Sequence, residues 1–181
     1  MTLLVLRDVA CVRGARLLFE GLSLTLAPGG AALVTGANGV GKSSLLRIAA
    51  GLLAPAAGDV VRGAVALADG RAALDPELPL ARALAFWGAA DAAVLADFGL
   101  DPLRDVPVRF LSTGQRQRAA LARVAMAGAA LWLLDEPANG LDAAATAVLE
   151  GYIARHRAAG GAVVVATHIP VAIADAQRVA L

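Results

Sequence analysis

Residues 36–44 read GANGVGKSS, and their types and spacing suit one kind of chemistry. Gly36, Gly39 and Gly41, with Ala37, Asn38 and Val40 between them, let the backbone curl so that successive N–H groups point at an anion. Lys42 sets a compact ammonium beside them, and Ser43 and Ser44 add hydroxyls. The stretch 36–43 matches G-x-x-x-x-G-K-[ST] between a predicted strand and a predicted helix, the context in which this pattern cradles a nucleoside triphosphate. There the amides hold the β-phosphate, Lys42 reaches the β and γ oxygens, Ser43 ligates Mg2+ and Ser44 meets the α-phosphate. An accidental glycine-rich turn is the competing reading. Lys42 is the only lysine among sixteen basic residues, so a chain that otherwise uses arginine keeps a point-like cation at this one place.

Further along, residues 133–137 read LLDEP behind an apolar run. A strand there delivers two carboxylates to its C-terminal end, where ligands of parallel sheets bind. Asp135 suits a Mg2+ ligand acting through water, and Glu136 suits a base that orients or deprotonates a water for in-line attack on a γ-phosphate. A carboxylate pair at a strand end could instead cap the next helix. His168 closes the strand-like run 162–167, where an imidazole can hydrogen-bond a γ-phosphate and hold the water-orienting carboxylate, or serve structure alone. A second phosphate-suited turn lies at 111–115, LSTGQ: Ser112 and Gly114 stand where a helix begins, with amides and a hydroxyl free to hold an anion or simply to cap the helix.

The elements that must position these residues follow from periodicity. Strands are predicted at 22–26, 31–35, 60–67, 131–135 and 162–167, and helices from 43 until Pro55 stops the run, at 113–127 and at 143–158. Between residues 69 and 110, Pro76, Pro79, Pro102 and Pro107 punctuate short alanine-rich helices near 80–87 and 91–98. Strands alternating with helices imply an α/β fold with a parallel sheet covered on both faces. The chain reads as one domain over 1–181, with a helical insertion at roughly 69–127.

Composition narrows the classes. Hydrophobic residues make up 59% and charged residues 17%, yet no apolar run reaches the roughly 18 residues of a spanning helix. The apolar start is cut by Arg7 and Asp8 without a basic leader, so no signal peptide is expected. A lone Cys11 cannot close an intrachain disulfide, which fits a reducing compartment. A net charge of +1 gives no reason to expect nucleic acid. No N-K-x-D guanine-reading motif is present.

In chain order, GANGVGKS, LSTGQ, LWLLDEP, NGLD (139–142) and THIP (167–170) resemble the nucleotide-binding subunits of ATP-binding cassette (ABC) transporters over nearly the whole chain. The resemblance implies the P-loop fold of that family: a central, largely parallel sheet, an antiparallel β edge and a short helical subdomain. It implies ATP and Mg2+ as cofactors, and a head-to-tail dimer in which Ser112, Gly114 and Gln115 of one copy meet the ATP held by the P-loop of the other. Asp142 matches the residue that communicates across that interface. An integral membrane permease subunit and a peripheral place on the cytoplasmic face of the bacterial inner membrane are implied as well. Finer stretches, VACVRGARLLFEGLSLTL at 9–26, LDPELPLARALAFW at 74–87 and DVPVRFLSTGQRQRAALAR at 105–123, resemble the cytochrome c maturation branch, whose ATPase drives haem export or haem-chaperone release. Another small exporter ATPase, a non-transport ABC ATPase and a module that closes on ATP without hydrolysing it are the alternatives.

Departures from the family pattern are equally specific. Arg13 stands where an aromatic usually stacks on adenine, so a guanidinium plane stacks there or the base is held loosely. Gly70 falls where a Gln or His usually senses Mg2+ and the γ-phosphate, leaving Asp69 beside it as a substitute or the coupling weak. Seventy positions separate Lys42 from Ser112, a trimmed interval for the family. Phe86 and Trp87 suit core packing, or else docking of a membrane subunit's helix, with packing the simpler reading.

Overall fold

A computed structural model describes residues 2–70, 73–88 and 91–181. Residues 71 and 72, next to Asp69 and Gly70, lie outside the described residues. Two sheets form. The first, in the order β2-β1-β4, is antiparallel and made of β1 (Leu4–Arg13), β2 (Arg16–Leu26) and β4 (Ala57–Arg62). The second, in the order β5-β6-β7-β3-β8, is made of β3 (Ala31–Thr35), β5 (Val65–Ala68), β6 (Leu131–Asp135), β7 (Ala162–Ala166) and β8 (Gln177–Ala180), and all its pairings are parallel.

The parallel sheet is covered on both faces, and the two-residue period of its strands shows how. Leu131 and Leu133 point into one core with Val164, the antiparallel sheet and α1 (Lys42–Ala50). Trp132, Leu134, Val163 and Val165 point into a second core with side chains of α2 (Leu80–Ala85), α3 (Ala92–Asp97), α4 (Thr113–Met126) and α5 (Ala143–Ala158). Every residue of β7 is buried, as a central parallel strand requires. Leu84, Leu95 and Leu121 share this second core with Trp132 and Ile153, so the helices after β5 pack directly on the main sheet.

Several expectations need correction. The run 60–67 is two strands, because the chain turns at Gly63 and passes from the antiparallel to the parallel sheet. The first helix stops well before Pro55: Gly51 takes a left-handed φ of 74° and its amide closes on Arg47 and Ile48 carbonyls. Phe86 is not in the core; it is 83% exposed and meets Trp87 edge to face at 5.4 Å. Trp87 is itself partly exposed, with its indole N–H donated to the Ala73 carbonyl at 3.1 Å and its ring under the Arg123 guanidinium at 4.6 Å.

Candidate active site

Three neighbouring strands, β3, β6 and β7, bring their C-terminal ends together. From β3 the chain enters the glycine loop at once. Gly36 has φ of 147° and Gly41 φ of 123°. A Cβ on Gly36 would stand 2.8 Å from the Leu181 carbonyl, and one on Gly41 would press on Leu18 and Phe19 at 3.1–3.2 Å. Any larger residue is strained at either position, and at Gly36 it also collides with the Leu181 backbone. Asn38, Gly39, Gly41, Lys42, Ser43 and Ser44 line a cleft of about 300 Å3 with Leu18 and Glu136. Ala37 contributes its carbonyl: the Lys42 ammonium, only 6% exposed, donates to Gly36 O at 2.9 Å and Ala37 O at 3.2 Å.

From β6 come Asp135 and Glu136. Glu136 lies 3.8 Å from the Lys42 ammonium through Oε1, while Oε2 meets His168 Nδ1 at 2.8 Å and accepts from the His168 amide at 3.2 Å. His168 follows β7, so this contact ties the ends of two adjacent strands. Burial pushes the Glu136 carboxyl up, but hydrogen bonds and charge from His168, with a hydrogen bond from Thr167, outweigh it and hold it below its ordinary value. The group is a carboxylate at neutral pH, free to accept a proton.

Asp135 behaves in the opposite sense. Burial pushes its carboxyl up, a hydrogen bond from Ser43 pulls it down, and Glu136 and Asp69 push it up again. Among the described residues, its Oδ1 is buried with no hydrogen-bond partner. An orphaned, desolvated carboxylate oxygen beside a serine hydroxyl fits a divalent cation, and oxygen donors of this kind suit Mg2+. Asp69, whose field reaches Asp135, is ion-paired with Arg47 of α1 at 3.3 Å.

Capping of the next helix falls to neither carboxylate. Asp142 takes that role, its Oδ1 accepting from the Ala145 amide at 2.8 Å at the start of α5. Ser112 caps α4 in a reciprocal box: its hydroxyl accepts from the Gln115 amide at 3.2 Å, and Gln115 Oε1 accepts from the Ser112 amide at 2.7 Å. Such a cap stabilises a helix start by about 1 kcal/mol and leaves the Thr113 and Gly114 amides without intrahelical acceptors. A Cβ on Gly114 would lie 3.3 Å from the Gly140 carbonyl, so the turn packs closely on the loop after Glu136.

The fold therefore assembles the glycine loop, Asp135, Glu136 and His168 around one cleft. Ser112, Gly114 and Gln115 do not line it, and neither does Arg13, which is exposed at the end of β1 opposite Arg16. Leu18, on β2, lines the cleft and was not singled out from the sequence, where no local signal marks it. Gln117 was also missed, although it stands inside LSTGQRQR: its side-chain amide donates to the Pro137 carbonyl at 3.1 Å and the Glu136 carbonyl at 3.4 Å. A larger cleft of about 560 Å3 lies elsewhere, lined by Arg47, Asp69, Trp87 and Arg123 among others.

Residues 19–139 match the family model described as ABC transporter. A protein of Sphingopyxis alaskensis called cytochrome c biogenesis ATP-binding export protein CcmA is 57% identical, over 99% of this chain and 96% of its own length. Its counterpart of the same name in Novosphingobium aromaticivorans is also 57% identical, over 98% of this chain and 95% of its own. Among solved structures, the ATP-binding subunit of an ABC transporter superposes with a TM-score of 0.84 at 24% identity, covering 93% of this chain and 80% of its own. The 57% identity to CcmA proteins over nearly the full length, a family match across residues 19–139 and an ABC-type fold agree, and the chain belongs to the ABC transporter ATP-binding family, in the group of cytochrome c biogenesis ATP-binding export proteins.

Proposed function

We propose that the chain is the ATP-hydrolysing subunit of an export complex in cytochrome c biogenesis, acting as one ATP-binding domain over 1–181 with residues 69–127 as its helical insertion. The observation that carries the chemistry is Glu136, held between Lys42 and His168 at the mouth of the glycine-loop cleft. The names of the CcmA relatives support the cellular role.

In this reading the amides of residues 36–41 wrap the β-phosphate, with Ser44 on the α-phosphate. Lys42 exchanges the Gly36 and Ala37 carbonyls it now holds for β and γ oxygens. Ser43 and Asp135 would hold Mg2+, which when bound neutralises charge on the β and γ oxygens. A water attacks the γ-phosphorus in line, its proton passes to Glu136, and the bond to the β–γ bridging oxygen breaks to release ADP and phosphate. His168 keeps the Glu136 carboxylate aimed and presents its ring to the γ-phosphate. Ser112 and Gly114 act on the ATP of a second, head-to-tail copy, with Gln115 serving through its hold on Ser112. Arg13 stacks on adenine from the edge of the site, and Asp142 signals across the dimer interface while capping α5.

The subunit works peripherally on the cytoplasmic face of the bacterial inner membrane, against an integral permease and with no nucleic-acid partner. Its turnover drives haem export or haem-chaperone release. Haem staining of c-type cytochromes in a deletion strain tests this. Loss of the cytochromes, restored by the wild-type chain and not by Glu136→Gln, is expected; normal cytochromes in the deletion strain would remove the biogenesis role and leave only the ATPase.

A further inference from the structure

The peptide after Glu136 is an awkward one. Glu136 has φ of 48°, the left-handed region that a side chain with a Cβ enters at a cost. It also precedes Pro137, whose ring crowds the residue before it and favours extended backbone there. Such a conformation persists only when its surroundings hold it. Several groups do so: the Glu136 amide donates to the Ala166 carbonyl at 2.7 Å, the carboxylate is held by His168, and the Glu136 carbonyl accepts from the Asn139 amide at 3.1 Å and, with the Pro137 carbonyl, from the Gln117 side-chain amide. The first two belong to β7 and the residues after it. Gln117 alone comes from α4.

That origin matters because α4 begins at the Ser112 cap, and Gln117 lies about one helical turn from Gly114. The cap box ties the helix start together, and Arg118 fastens the next position by donating to the Phe98 carbonyl at 3.0 Å. A shift of the Ser112–Gly114 turn is therefore carried along a stiff helix to the backbone of Glu136 in the same chain. We infer that Gln117 is a positioning residue that sets Glu136 of its own cleft according to whether Ser112 and Gly114 have closed on the other copy's ATP, so that the two ATP sites of the dimer are coupled through it. This rests on the head-to-tail reading above.

The test is steady-state hydrolysis by the full chain against ATP concentration, with nucleotide affinity and melting temperature measured in parallel. Wild-type hydrolysis is expected to be sigmoidal. Gln117→Leu keeps the bulk and removes the donor; it should lower kcat by about 10-fold or more, as loss of precise placement does. Its ATP affinity and melting temperature should stay unchanged and its Hill coefficient fall towards one. Gln117→Lys restores a donor and should recover both kcat and cooperativity. Wild-type kcat and Hill coefficient in Gln117→Leu would overturn the inference, as would a hyperbolic wild-type curve, or kcat falling only together with melting temperature and without rescue by lysine. A wild-type chain that hydrolyses no ATP would instead overturn the reading on which the inference stands.

Discussion

Two stretches of this chain suit a phosphate, and they are held in different ways. The glycine loop is closed on its own molecule: Lys42 is buried against Gly36 and Ala37, and Glu136 and His168 stand beside it from two other strands. The Ser112–Gly114 turn has a finished helix cap and a tight packing against Gly140, but it lines no part of that cleft. One stretch meets its partners within the chain. In the proposed reading the other meets the ATP of a second copy, so that hydrolysis is expected only when two copies meet.

Breaking the first stretch should have the largest effect. Lys42→Ala is expected to abolish ATP binding, read by fluorescent-nucleotide titration, because no other lysine exists to replace it. Retained affinity would contradict the assignment of the cleft. Breaking the second stretch separates binding from turnover. Gly114→Glu adds bulk 3.3 Å from the Gly140 carbonyl and a charge facing phosphate. It should leave binding intact in the monomer while cutting hydrolysis by about 100-fold, in line with loss of phosphate-clamping donors. Gly114 is a cleaner probe than Ser112, whose removal also costs the helix about 1 kcal/mol of capping. Equal losses of binding and turnover in Gly114→Glu would erase the contrast between the two stretches.

A smaller effect is expected at Asp69. Its ion pair with Arg47 and its influence on Asp135 link the edge of the larger cleft to the proposed metal carboxylate. Asp69→Ala should lower hydrolysis stimulated by the membrane partner more than it lowers ATP binding, and a stimulated rate equal to wild type would dismiss the link.

The smallest effect lies away from both stretches. His156 stacks on Trp132 at 4.0 Å, and burial holds its pKa below the ordinary value against hydrogen bonds to backbone carbonyls. The unfolded chain thus takes up this proton first, so stability is present above the unfolded pKa and declines as pH falls through it towards the folded one. His156→Phe keeps the stack and should flatten that decline between about pH 7 and pH 5.5. The difference in melting temperature should be no more than about 2–4 °C for a domain of this size. Parallel curves for the two proteins would assign the acid sensitivity to other groups.

Much of the site was legible because its signals are local. The glycine loop, the carboxylate pair and the helix start at Thr113 are each written in a few adjacent residues, and β3, β6 and α5 follow from plain periodicity with the bounds expected. What escaped depends on distance. β1 was not read as a strand because bulges near Asp8, which takes φ of 49°, break its alternation. The four residues of β8 are mostly exposed at the sheet edge and carry no apolar pattern. Phe86 looks like core by type, yet the short α2 ends beside it and leaves it outside. The competing reading of Asp135 and Glu136 as helix caps fails because Asp142, one loop later, caps α5, and Gln117 gained its meaning only when α4 came to lie beside Pro137. Roles assigned to Ser112, Gly114 and Arg13 concern groups outside the folded chain.

The most direct measurement is sedimentation of the Glu136→Gln chain with and without ATP and Mg2+. With the base removed and the phosphate contacts intact, ATP should convert monomer to a stable dimer, and adding Gly114→Glu to the same chain should return it to monomer with ATP still bound. A Glu136→Gln chain that binds ATP and stays monomeric, under conditions where the wild-type chain hydrolyses it, would contradict the two-copy site.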